Sequence, residues 1–112
     1  PLPRRNDMSL DINLKCDHCG SSREPLNITH NVSRMWRLAG VWDALYGSDG
    51  RRAAEYLDTL RAGLAHMEAH PEEYEAMNPP NGWGSYEGAK RFLGQWIAEC
   101  AAHPDCIIEV SA

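Results

Sequence analysis

The chain has 112 residues, a formal net charge of −5 and 24% charged residues, which suits one domain with a single core. Its Lys and Arg are dispersed, with no basic stripe to neutralise phosphates, so nucleic-acid binding is disfavoured. No apolar run approaches the roughly 18 residues that would cross a bilayer, so no membrane role is expected and the chain reads as cytoplasmic. In that compartment its four cysteines read as thiols or metal ligands, not disulfides.

Residues 1–8 are polar, carry Pro1, Pro3, Arg4 and Arg5, and lack the apolar stretch of a signal peptide. They read as a flexible N-terminal arm, with residues 9–112 as one compact α+β domain. Over 9–16, Leu10, Ile12, Leu14 and Cys16 alternate with Asp11, Asn13 and Lys15, the period of a strand with one buried face. Cys16-Asp17-His18-Cys19-Gly20 opens a turn, and a second strand returns over 25–30, where Leu26, Ile28 and His30 alternate with Asn27 and Thr29.

Asn31 suits the N-cap of a helix over 32–46, in which Val32, Met35, Trp36, Ala39, Trp42 and Tyr46 recur at helical spacing. Gly47-Ser48-Asp49-Gly50 stops it. A second helix is expected over 51–69, with Ala53, Leu57, Leu60, Leu64 and Met67 on its core face. Pro71 opens a short acidic helical turn over 72–77, and Asn78-Pro79-Pro80-Asn81-Gly82-Trp83-Gly84 is an irregular loop. Ser85 caps a last helix running to 102 through Ala89, Phe92, Leu93, Trp96, Ile97 and Cys100, although Gly88 leaves the capping box incomplete. Pro104 ends that helix, and residues 106–110 form a third strand.

These elements predict a two-layer α+β fold of order β-β-α-α-α-β, with three main helices over one face of a three-stranded antiparallel sheet. Following each element up and down places the third strand antiparallel to the first, so the expected strand order is 2-1-3. The same trace gathers Cys16, Cys19, Cys100 and Cys106 at one end, the upper pole. It brings residues 27–31 and 81–85 together at the other, the lower pole.

The upper pole suggests a structural zinc on Cys16, Cys19, Cys100 and Cys106, with His18 or His103 able to replace one thiol. Two features oppose it. Cys100-x5-Cys106 is not a second knuckle, and Cys100 continues the apolar stripe four residues after Trp96, where cysteine serves as a small hydrophobe. The lower pole offers Asn27, Thr29, His30, Asn31, Asn81, Gly82, Trp83, Gly84 and Ser85 at two helix N-termini, whose amides suit a small anion. Trp83, between two glycines, could stack on a planar group or else plug the lower edge of the core. Trp36, Trp42 and Trp96 fall on helical stripes and read as core. No complete catalytic signature is present: Thr29, His30 and Ser33 are neighbours, but no third group to orient the histidine can be named.

Through residues 27–36, residues 78–88 and Pro104-Asp105-Cys106, the chain resembles a group of uncharacterised small phage proteins, notably from phages of actinobacteria. The resemblance implies an accessory protein in the cytoplasm of an infected bacterium and no particular activity, so no catalytic residue follows from it. The resulting expectation is a non-enzymatic binding module whose lower pole captures a host protein or a small anionic ligand. The alternative is a small metal- or histidine-dependent hydrolase using His30.

Overall fold

The structure is a computed structural model that describes residues 9–16 and 20–112. The arm expected over 1–8 and residues 17–19 of the cysteine turn lie outside the described residues. Strand β1, Ser9–Lys15, is central, pairing antiparallel with β2, Leu26–Thr29, on one side and β3, Ile107–Ser111, on the other. The strand order is β2-β1-β3, as expected.

Successive side chains of a strand point to opposite faces, so the alternation in β1 becomes an inside and an outside. Leu10, Ile12 and Leu14 are fully buried. In register they face Ile28 and Leu26 of β2 and Val110 and Ile108 of β3. The other face is polar and cross-linked: Asn13 Nδ2 donates to Glu109 Oε1 at 2.8 Å, and Asn27 Nδ2 to Asp11 Oδ1 at 2.7 Å.

The helix expected over 32–46 is broken. A 3-10 turn, His30–Val32, leads into α1, Ser33–Ala39, and a separate α2 spans Trp42–Tyr46. Gly40 lies between them at φ +77°, a conformation that lacks a steric cost only for glycine, and its amide caps α1 on the carbonyls of Arg37 and Trp36. The break turns Val41 into the core, against α3, Leu57–Ala69. A Cβ on Gly63 of α3 would lie 2.3 Å from Val41 Cγ1 and 3.2 Å from the Ala39 carbonyl oxygen, so this crossing requires glycine. The same break takes Trp42 off the core stripe. Trp36 and Trp96 are buried as expected, but Trp42 is only half-buried, stacked on Tyr46 at 3.9 Å beneath the Arg37 guanidinium, also at 3.9 Å.

The second helix starts six residues later than expected, at Leu57 rather than 51, because its leading backbone is committed to the sheet. The Gly50 amide donates to the Ile108 carbonyl at 2.8 Å, the Ile108 amide to Arg51 at 2.7 Å, and the Ala53 amide to Cys106 at 2.9 Å. Asp49 Oδ1 accepts from the Val110 amide at 2.8 Å. Residues 49–53 therefore line the outer edge of β3, and a 3-10 turn, Ala53–Tyr56, makes the transition to α3.

A short α4, Pro71–Glu75, and the long α5, Tyr86–Ala102, complete the fold. Ser85 caps α5 as expected, its Oγ accepting from the Gly88 amide at 3.0 Å. Ala89, Phe92, Leu93, Trp96 and Cys100 of α5 share one core with the β1 stripe, Met35 and Trp36 of α1, and Leu60 and Met67 of α3. Tyr86 stacks on Tyr74 at 5.7 Å and donates its hydroxyl to the Met67 carbonyl at 2.5 Å, joining α5 to α3 and α4. No helix among the described residues is long and apolar enough to cross a membrane.

Two glycines on helices should respond to alanine in opposite directions. Gly63→Ala should cost about 1–3 kcal/mol of stability, because the new methyl overlaps the fully buried Val41 and crowds the Ala39 carbonyl. Gly94→Ala, in mid-α5 with no atom within 4 Å of the new Cβ, should add up to about 1 kcal/mol from helix propensity. Urea titration of the two variants beside the parent measures both signs.

Candidate functional site

The segments expected to meet at the lower pole do meet. Asn31 Nδ2 donates to the Trp83 carbonyl at 3.3 Å, across 52 residues of sequence. Gly84, at φ +97°, sits so close to the end of β2 that a Cβ would lie 2.7 Å from Thr29 Cγ2 and 2.9 Å from Val32 Cγ1. The loop is also braced from within: the Trp83 amide donates to Asn81 Oδ1 at 2.9 Å and the Gly82 amide to the Pro79 carbonyl at 3.2 Å. An Asx turn of this kind substitutes a side-chain acceptor for a backbone one and stiffens a loop that has no ladder of its own. Trp83 emerges from it with 61% of its surface exposed, the most exposed of the large hydrophobic side chains among the described residues. The ring does not plug the core.

The helix ends depart from what an anion needs. Asn31 is not the N-cap. The 3-10 turn begins two residues earlier than the helix expected there, so Thr29 takes that role, its Oγ1 accepting from the Asn31 amide at 3.2 Å. At α5, Asn78 Oδ1 accepts from the Tyr86 amide at 2.8 Å and Ser85 Oγ from the Gly88 amide. Glu87 adds a negative charge in that first turn. Two amides that would have faced an anion thus already have acceptors. Asn78 is a positioning residue that spacing alone did not mark, since it caps a helix eight residues away and not the one beside it.

His30 and Asn27 sit apart from this loop contact. His30 Nδ1 hydrogen-bonds the Tyr46 hydroxyl at 2.8 Å, the first step of a surface ladder that continues through Trp42 to Arg37. Burial pushes the Tyr46 phenol up to about 12, with Arg37 opposing, so the group orienting His30 is a neutral hydroxyl and not a carboxylate. Asn27 is engaged on the outer sheet face with Ser9 and Asp11.

At the upper pole, Cys16 and Cys106 are the next residues beyond the last β1–β3 pair, Lys15 with Ile107. Cys100 is fully buried on α5, where it packs in the core, and burial pushes its thiol up to about 12. Cys19 and His18 lie outside the described residues, among which no group of three or more His, Cys, Asp and Glu is arranged to hold a metal ion. Nearby, Arg23 Nε bonds Glu99 Oε2 at 2.6 Å, clamping the return of the hairpin onto α5 and holding the Glu99 carboxyl below its usual range. The pair borders a shallow groove of about 420 Å³ also lined by Glu24, Leu26, Gln95 and Ala98.

No family model, curated protein or solved structure matches this chain.

The loop geometry sets a contrast between adjacent residues. Gly84→Ala should cost about 2–4 kcal/mol of folding stability, combining left-handed backbone strain with overlap on Thr29 and Val32. Trp83→Ala should change stability by less than about 1 kcal/mol, because the exposed ring holds little of the core. Thermal or denaturant unfolding of both variants checks the pair.

Proposed function

We propose that this protein is a non-enzymatic binding module that captures a protein partner on its lower pole, with Trp83 as the anchor. The observation that carries this reading is a large aromatic ring, 61% exposed, on a loop already fixed by Asn31, Asn81 and the close approach of Gly84. Tryptophan is enriched among the few residues that dominate interface energy, and a ring held in place before contact loses little freedom on binding. A protein surface is favoured over a small anion because acceptors on Thr29, Asn78 and Ser85 already occupy amides of the two helical N-termini. The resemblance of residues 27–36 and 78–88 to small phage proteins supports a host protein of an infected bacterium as the partner.

Affinity capture from a bacterial lysate with the parent protein and with Trp83→Ala tests the reading. A protein retained by the parent and lost by the variant is the expected result, with an affinity loss of about 2 kcal/mol or more when that partner is titrated purified. Equal retention by both proteins would refute Trp83 as the anchor. In parallel, a sodium phosphate titration should leave the unfolding midpoint unshifted, whereas a rise abolished by His30→Ala would favour the small-anion reading instead.

A further inference from the structure

At the corner between α3 and α4, His66 in the last turn of α3 stands beside His70, the C-cap of that helix. Their ring centroids are 4.3 Å apart and their planes tilted by 35°. The His70 amide closes the last turn on the His66 carbonyl at 3.1 Å, so the two side chains lie four residues apart across that turn, near the spacing at which two imidazoles can reach one ion. Each ring is held through the same atom. His66 Nδ1 is 2.6 Å from the hydroxyl of the fully buried Tyr74, and His70 Nδ1 is 3.4 Å from Glu73 Oε1.

Both contacts are made by Nδ1. Neither Nε2 has a hydrogen-bond partner among the described residues, so these are the ring nitrogens open to a ligand. A hydroxyl or carboxylate that fixes the ring through its other nitrogen is the outer-shell arrangement that accompanies histidine ligation of metals. The surroundings favour a cation: residues 62–89 contain Glu68, Glu72, Glu73, Glu75 and Glu87 and no Lys or Arg. A hollow of about 270 Å³, lined by Ala69, His70, Pro71, Glu72 and Glu73, opens beside the pair and leaves room for water ligands.

We propose that His66 and His70 form a site for a borderline divalent transition-metal ion, Zn²⁺ or Ni²⁺, bound through both Nε2 atoms with water completing the coordination shell. Imidazole nitrogen suits these ions, and the two side chains act as a chelate because one helix turn already spaces them. Among the described residues no third His, Cys, Asp or Glu is arranged with them, so the site is bidentate and exchangeable, not a folding staple. Occupation would brace the end of α3 against α4.

The test uses the whole folded chain with its accessible thiols alkylated, Cys100 staying intact in the core, so that the other cysteines of the upper pole cannot supply the signal. Calorimetric titration with NiCl₂ and with ZnCl₂ should show one ion per chain. Ni²⁺ should broaden backbone amide resonances selectively over residues 63–74. His70→Ala should weaken binding at least tenfold while leaving the metal-free unfolding midpoint unchanged, since that ring is exposed. His66→Asn should also weaken binding, and if its loss of the Tyr74 contact disturbs folding, the exposed His70 variant still decides the question. Less than a tenfold loss in His70→Ala, broadening centred elsewhere, or no uptake at millimolar metal would overturn the proposal.

Discussion

The fold depends on burying one face of β1 completely while both of its backbone edges are paired. Leu10, Ile12 and Leu14 have no solvent exposure, and burying three such side chains contributes about 1.5–3 kcal/mol each. A one-residue slip of register would put Asp11 and Asn13 in their place, so the pairings with β2 and β3 are tightly specified. Those pairings determine where β2 ends, and the end of β2 determines where the 78–85 loop can rest. The lower pole is thus a consequence of the sheet register as much as of its own residues.

At that pole, a missing side chain positions a large one. Gly84 allows the loop to approach Thr29 and Val32 closer than any Cβ permits, which anchors the backbone immediately after Trp83. The indole is then held outward without being packed. The same device recurs at Gly63, where absence of a methyl group lets α3 cross beside Val41. In both places the glycine costs conformational entropy on folding, and the close contact it permits offsets that cost.

Much of this was legible in the sequence, for identifiable reasons. The β1 alternation, the Ser85 cap and the stop at Pro104 are local signals, and each lies within a residue of its observed place. The strand order followed from connectivity alone, and the meeting of 27–31 with 81–85 followed from the strand order. The two helix errors share a cause. Helical periodicity continues through Gly40 and through 51–56, but in each case a tertiary partner takes over the backbone, Val41 docking on α3 in one and β3 capturing residues 50–53 in the other. At the candidate site, the flanking glycines of Trp83 were compatible with an exposed ring but left a core plug equally open, because they fix the freedom of the backbone and not the direction of the side chain. The capture of the α5 amides by Asn78 was not readable, because a cap supplied from eight residues away leaves no periodic trace.

The attachment of residues 49–53 to β3 also governs how the molecule can associate. A sheet with two open edges can recruit copies without limit, since each added strand exposes a fresh template. Here one rim is covered by the chain's own backbone and the Asp49 carboxylate, leaving β2 as the remaining rim among the described residues. Pairing through β2 would consume the one edge left uncovered among the described residues. Such growth would stop at two copies, a closed six-stranded sheet, and the fold thereby carries a chain terminator against fibre formation in the connection between two of its helices.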